Sequence, residues 1–404
     1  MKIIYVTASL PHGADEAFVI PEIGELMRLG HEVRVVPRSP RGRILHGHGL
    51  LKHARREALC SHRVLGAAAV TMLAAPRRTI TATRPLVDTR STMLSMKNLA
   101  VVPKALWLAR MACAWQADHI HCHWAGTTAS MAMLASRISG IPWSFTAHRW
   151  DIVEDNVLLK KARSASLARF ISNDGLAMAQ AMGVSDNARV LHMGVSIPRT
   201  VRRRHGARPV VLCPARLVEV KGHRFLLEAW RMVRRNGVDG ELWVAGQGEL
   251  RVRLECLCAA LGLADSVRFL GGVPHQELLK IYEEGRVSAV VLSSVDLGDG
   301  FHEGIPVALI EAMSYGIPVV ATATGGIAEL VAPGAGLLVP PADPVALASA
   351  IRSLLRDHQL NEQLGESGRQ RVTDHYDIVR IVAELVNEFK AATPATAPGS
   401  LQYA

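Results

Sequence analysis

Short runs of apolar residues alternate along this chain with longer segments in which apolar positions return every three or four residues. The first pattern is that of strands covered on both faces, the second that of amphipathic helices. In the first half the runs predict strands near 2–7, 32–37, 118–122, 143–147, 168–172 and 189–192, with helices at 17–29, 126–139 and 174–182. In the second half, strands are expected from Val210 onward and near 241–245, 266–270, 287–292, 317–322 and 336–339. Helices there fall near 222–236, 248–262, 274–284, 306–315, 343–357 and 359–372. Such alternation is the signature of parallel sheets with crossover helices. Residues 38–115 break the rhythm; they are basic, carry helices without clear limits, and read as an excursion from the first sheet.

The polar segment 198–209, punctuated by Pro, Gly and Arg, reads as a linker. With 404 residues to place, it predicts an α/β protein of two facing, Rossmann-like, doubly wound parallel-sheet domains with a cleft between them. The first domain is placed at 1–200 and the second at 207–375. A closing helix at 376–390 is expected to return to the first domain, and a tail at 391–404, rich in Ala, Thr and Pro, to be disordered.

Composition narrows the class. The six cysteines are scattered, and no Cys/His set has zinc-ligand spacing, so a reduced, cytoplasmic setting is expected. The start Met1-Lys-Ile-Ile-Tyr-Val6 reads as a strand rather than a signal peptide. No stretch reaches the roughly 18 apolar residues of a membrane span. The net charge of +10 is uneven, with +12 in residues 1–200 and −2 in residues 201–404. Residues 28–110 hold 16 basic residues against Glu32, Glu57 and Asp88. Nucleic acid, an anionic membrane surface, an acidic small molecule or a plain solvated face all fit that excess. No helix-turn-helix or aromatic ribonucleoprotein motif accompanies it, which ranks nucleic acid last. The apolar run Val64–Ala75 lies between Arg55, Arg56, Arg63 and Arg77, Arg78. It is too short to span but suits a helix in the interface, so peripheral association through residues 38–110 at the inner face of the membrane is expected.

The chemistry concentrates in Phe301-His-Glu-Gly-Ile-Pro-Val-Ala-Leu-Ile-Glu-Ala-Met-Ser-Tyr-Gly316. Pro306 suits the first helical position, and Gly316 with Pro318 ends the helix. Glu303 then precedes the helix, while Glu311 rides on it among apolar neighbours. A carboxylate so placed needs a partner. Upstream, Arg216 and Lys221 in Ala215-Arg-Leu-Val-Glu-Val-Lys-Gly222 follow a strand and precede a helix, a suitable place to hold a diphosphate. Gly246-Gln-Gly-Glu249 forms another tight turn. In the first half, Ala8-Ser-Leu-Pro-His-Gly13 lacks the G-x-G-x-x-G of a dinucleotide fold, which counts against a nicotinamide enzyme. Asp296, Asp299 and His302 could suggest a metal cluster, but a polar loop accounts for them. His121 and His123 alternate on a strand and share one side, where core packing accounts for them.

Arg216, Lys221, Glu303 and Glu311, in that order, resemble the C-terminal domain of the retaining family-4 glycosyltransferases with the GT-B fold. The matching blocks are Pro214–His223, Val244–Glu249, Phe269–Val273, the Glu303–Glu311 pair and Gly316–Leu330. In the first half the resemblance rests on Asp15–Ile23, His119–Trp124 and Ser144–Asp151, and it covers most of residues 1–390. It is closest to the branch that builds exopolysaccharides such as colanic acid, where Glu-Gly-Ile-Pro stands for the commoner Glu-Gly-Phe-Gly.

The resemblance implies a metal-independent hexosyltransferase without cofactor, moving sugar from a UDP- or GDP-linked donor to a saccharide or lipid-linked saccharide. It makes the first domain acceptor-binding and the second donor-binding. Arg216 and Lys221 would bind the diphosphate, Glu303 the donor sugar with the backbone of Gly304, Ile305, Pro306 and Val307, and Glu311 the ribose hydroxyls. Gly246 would line the donor site, and His148 would reach over the donor sugar. Glu16, Trp150 and Asp151 are placed on the acceptor side. Two alternatives share the fold: a non-hydrolysing nucleotide-sugar epimerase, and a non-catalytic nucleotide-sugar-binding protein.

Overall fold

The structure, a computed structural model, describes residues 1–13, 16–42, 44, 49–184, 187–202, 208–298, 302–331 and 334–392. The chain divides into two compact units, Met1–His192 with the segment from Val379 onward, and Met193–Ile378.

The first unit is built on six parallel strands, β1 (Lys2–Thr7), β2 (Glu32–Pro37), β3 (His119–His123), β4 (Trp143–Ala147), β5 (Leu167–Phe170) and β6 (Ala188–Val190). Their order is β2-β1-β3-β4-β5-β6, so the topology reverses between β1 and β3. One face carries Ile4, Val6, Ile120, Cys122 and Phe145 into a core shared with the helices Val102–Trp115 and Thr127–Ser139. The opposite face of β3 carries His119, His121 and His123, all fully buried. The helix Ile378–Ala392 covers it, with the Phe389 ring stacked on His119 at 4.2 Å between centroids. That helix runs through Ala391 and Ala392, where a disordered tail was expected to begin; residues 393–404 lie outside the described residues.

The basic excursion folds as the helices His62–Ala74, Pro76–Thr83, Thr92–Ala100 and Val102–Trp115. In the first of these Val64, Ala68 and Thr71 are buried at helical spacing. Leu65, Val70, Met72 and Leu73 point to solvent, Leu73 at 83% exposure. The helix is thus apolar on both faces, which erased the period that would have marked its limits.

The second unit has β7 (Val210–Pro214), β8 (Glu241–Ala245), β9 (Val267–Gly271), β10 (Ala289–Leu292), β11 (Val319–Thr322) and β12 (Leu337–Val339), again parallel. The order β12-β11-β10-β7-β8-β9 reverses between β7 and β10. The strands β7, β10 and β11 are almost wholly buried and apolar, β10 being Ala-Val-Val-Leu throughout, as expected of strands covered on both faces. The unit begins at Met193 rather than beyond the polar linker. Gly194 lies close against the end of the same unit, where a Cβ would stand 2.7 Å from Ile378 Cα. Val195 and Ile378 accordingly pair backbone to backbone, Ile378 N donating to Val195 O at 3.0 Å. Of the linker, residues 203–207 lie outside the described residues.

Candidate functional site

Ligands of open α/β sheets sit beyond the carboxyl ends of the strands where the order reverses. In the second unit that place is formed by the loops after β7 and β10. The loop after β7 contains exposed Arg216 and closes in a short turn, Glu219–Lys221, before the helix His223–Arg235. Gly222 has φ +59°, and a Cβ there would stand 2.0 Å from Ser293 O. Only glycine lets the two loops lie this close. The Ser293 hydroxyl then donates to Lys221 O and Gly222 O at 3.1 Å each, fixing the backbone from which Lys221 projects. Its Nζ meets Glu303 Oε1 at 2.6 Å, with both side chains about 15% exposed.

Glu303 is held from below. A Cβ on Gly325, in the loop after β11, would stand 2.0 Å from Glu303 O. Ile305 and Pro306 are buried; Gly304 and Val307 are half-buried. The helix is Val307–Ser314, so Pro306 is its cap rather than its first residue. Lacking an N–H, Pro306 leaves Gly304, Ile305 and Val307 as the amide donors at this entrance. Gly246, at the end of β8, is forced to be glycine by Ala215 O, which would lie 1.9 Å from a Cβ. It sits directly behind Arg216.

Glu311 is 8% exposed, and its partner is His275, whose Nε2 lies 2.5 Å from Oε1. That bond raises the His275 pKa above its ordinary value against the opposing effect of burial. His275 opens the helix His275–Glu283 after β9, two residues beyond the Phe269–Val273 block, and the sequence reading missed it. A histidine at a helix start looks like a surface cap; only the demand of Glu311 for a partner signalled it. His223 is a second group in this unit that the sequence reading did not single out. It is 3% exposed, both ring nitrogens lack partners, and burial beside the Lys221 charge pushes its pKa down to about 4. Asp296 accepts from Gly298 N, and His302 bonds Glu303 O at 2.9 Å; Asp299 and Phe301 lie outside the described residues.

In the first unit the reversal lies between β1 and β3. Glu16 is 1% exposed and receives the amides of Ala8, Ser9 and Leu10, the Ser9 hydroxyl and the Trp124 indole N–H. These five donors outnumber the roughly four lone-pair sites of a carboxylate, so none is left open. Glu16 therefore shapes the 8–10 loop; Asp15 lies outside the described residues. Asp151 likewise accepts from His148 N at 2.9 Å and Gly126 N at 3.0 Å, and burial raises its pKa to about 6. It ties the start of the helix Arg149–Glu154 to the Gly126 loop, whose carbonyl and that of Ala125 both accept from buried Lys161. Trp150 on that helix is 51% exposed.

His148 is packed against Phe18 and Trp124, and its Nε2 lies 2.7 Å from His123 Nε2. Burial, helped by the Arg169 charge, pushes its pKa down to about 3. His121 bonds Ser144 and Thr146 inside the sheet. Glu22, His121 and His123 bring three ligand-type atoms within 4.8 Å of one another. The Arg169 guanidinium, 2.6 Å from Glu22, already supplies positive charge there.

Comparison with known proteins adds to this geometry. Residues 199–371 match the model of glycosyl transferases group 1, and residues 23–188 that of the glycosyl transferase 4-like domain. The chain is 35% identical over 208 residues to WcaL of Salmonella typhimurium, a glycosyltransferase assigned to colanic acid biosynthesis, matching 51% of this chain and 49% of that protein. The match thus spans about half the length of that relative. It is 30% identical over 294 residues to a GDP-mannose-dependent alpha-(1-6)-phosphatidylinositol monomannoside mannosyltransferase of Mycobacterium tuberculosis, covering 67% of this chain and 76% of the relative. Among solved structures, Anabaena HepE in complex with UDP and glucose superposes with a TM-score of 0.72 at 18% identity, over 97% of this chain and all of that one. With two reversed parallel sheets, family models over both halves and a relative matched along most of its length, the chain belongs to the group 1, family-4 glycosyltransferases with the GT-B fold.

Proposed function

We propose that this protein is a retaining, metal-independent hexosyltransferase of surface polysaccharide biosynthesis. It takes a sugar from a UDP- or GDP-linked donor and passes it to a saccharide or lipid-linked saccharide. The observation that carries this reading is the Lys221–Glu303 pair at the topological reversal of the second sheet, flanked by exposed Arg216 and by Glu311. Arg216 and Lys221 supply positive charge to the leaving diphosphate, the work that a metal does elsewhere. Glu303 holds sugar hydroxyls, and Glu311 takes the ribose diol through the oxygen that His275 leaves open. His148 acts at the donor sugar, while Glu16 and Asp151 contribute to the acceptor side through the backbone they hold, with Trp150 exposed nearby in sequence. Retention follows from front-face attack, the donor phosphate oxygen receiving the acceptor proton. The UDP complex of HepE and the GDP-mannose dependence of the mycobacterial relative support the two candidate nucleotides alike.

Peripheral membrane association completes the reading. The helix His62–Ala74 exposes Leu65, Val70, Met72 and Leu73 between Arg63 and Arg77, a combination suited to an anionic interface. No described helix is long and apolar enough to cross a membrane. The test is incubation with radiolabelled UDP- and GDP-sugars and a lipid extract. Labelled lipid or saccharide that disappears with Glu311→Ala is expected; no labelled product from any donor overturns the reading.

A further inference from the structure

Four buried side chains of the first unit, Arg169, Glu22, Tyr5 and His123, form one line that ends on half-buried His148. Arg169 and Glu22 are fully buried, with Nη1 and Oε2 2.6 Å apart. Arg169 Nε and Nη2 also donate to Leu191 O and His192 O. The second Glu22 oxygen lies 2.5 Å from the Tyr5 hydroxyl. That hydroxyl is 3.3 Å from His123 Nδ1, and His123 Nε2 is 2.7 Å from His148 Nε2.

We propose that this line fixes the tautomer of His148, making Arg169, Glu22, Tyr5 and His123 positioning residues for the donor-sugar group. The inference rests on the role given to His148 above. The assignment follows from proton accounting. A carboxylate locked to a guanidinium only accepts. Tyr5 has one hydroxyl proton, and burial beside Glu22 keeps it there by holding the phenol pKa well above its ordinary value. That proton goes to Glu22, so the Tyr5 oxygen accepts from His123 Nδ1–H. Burial holds His123 well below its ordinary pKa, so the ring is neutral and its Nε2 is a lone pair. His148 must therefore donate through Nε2–H and carry its own lone pair on Nδ1.

The consequence is a neutral imidazole in one fixed tautomer. Glycosyl transfer passes through a state with positive charge near the anomeric carbon. An imidazolium beside that carbon would oppose the reaction. The groups around the ring disfavour its protonation: Phe18 and Trp124 are uncharged, Asp151 is turned to backbone amides, and the Arg169 charge, paired with Glu22, still opposes a second positive charge on His148. A purely structural line would tie β1, β3, β5 and the helix Ile20–Arg28 together without any preference for one tautomer of His148.

The test is nitrogen-15 NMR of the full-length protein labelled at histidine, at pH 7. His148 is expected as the Nε2–H tautomer and His123 as the Nδ1–H tautomer; the reverse pair in the wild type overturns the proposal. In Tyr5→Phe the pair is expected to lose this preference. The turnover number should then fall about 10- to 100-fold while donor KM stays within about twofold. Wild-type turnover in Tyr5→Phe, with His148→Ala inactive, sinks the line and leaves the role of His148 standing. Wild-type turnover in His148→Ala sinks that role instead.

Discussion

Lys221 Nζ lies 2.6 Å from Glu303 Oε1, joining the loops after β7 and β10 where the second sheet reverses. The two groups are drawn from opposite sides of the reversal and hold each other in place. On the proposed reading, a diphosphate and a sugar arriving there would meet a cation and an anion that are already positioned.

Removing either member should therefore harm both chemistry and folding. Lys221→Ala is expected to lower the turnover number about 10²- to 10³-fold, the effect of losing one preplaced charge at a leaving group. Its melting temperature should fall as well, because the substitution leaves the Glu303 carboxylate, only 15% exposed, without its counter-charge. Steady-state kinetics with thermal melting check this. A loss below about threefold would place the leaving-group charge elsewhere.

The His275–Glu311 bond predicts a pH dependence with a definite sign. Its folded-state pKa is raised, chiefly by the hydrogen bond to Glu311. The bond thus stabilises the second unit fully below the ordinary histidine value of about 6.5, and this contribution is lost as pH rises through the raised value. Melting temperature measured from pH 6 to 8.5 should fall more in the wild type than in His275→Gln. Parallel slopes would mean that the bond adds nothing to stability.

The buried histidines of the first unit predict the opposite trend. Burial holds His119 and His148 near 3 and pushes His121 and His123 down as well. A depressed folded pKa makes the unfolded chain bind protons first, so stability falls as pH drops from about 6.5 toward 3. Each such group contributes up to about 1.4 kcal/mol per pH unit in that window. Circular dichroism should show the first unit unfolding in mild acid, and His119→Phe, which keeps the stacking on Phe389, should shallow the slope. An acid profile unchanged by that substitution would contradict the assignment.

How far the sequence carried is best judged on particular elements. β1 and β2 were expected at 2–7 and 32–37 and are found at Lys2–Thr7 and Glu32–Pro37, because a short apolar run bounded by polar turns admits little else. The tight turns at Gly222 and Gly246 and the carboxylate on an apolar helix could be noted from the chain, but the atoms that force those glycines, Ser293 O and Ala215 O, lie far off in sequence. What could not be read was set by distant partners. Glu311 and His275 are 36 positions apart, and Arg169 and Glu22 are 147 apart. An arginine inside the strand Leu167–Phe170 announces that a buried anion exists, yet not where it comes from. The short helices Arg149–Glu154, Leu158–Ser164 and Ile327–Val331 were missed because one or two turns leave too little periodicity.

The exposed apolar residues of the helices His62–Ala74 and Pro76–Thr83 give a prediction separable from catalysis. Leu73 at 83% and Ile80 at 69% exposure contact little of the fold. Replacing both with Glu should therefore leave melting within about 0.5 kcal/mol of wild type. Sedimentation with vesicles containing anionic lipid should drop sharply, as it should for glutamate at Arg77 and Arg78. Equal sedimentation of all variants would remove this face from the membrane.

The central claim is that the second unit reads a nucleoside diphosphate through Glu311 and Lys221. Isothermal titration of UDP and GDP into the wild type and Glu311→Ala tests it most directly. One nucleotide is expected to bind the wild type, and Glu311→Ala to weaken it by at least about tenfold, or 1.4 kcal/mol. Equal affinity in the two proteins, or no binding of either nucleotide to the wild type, would contradict it.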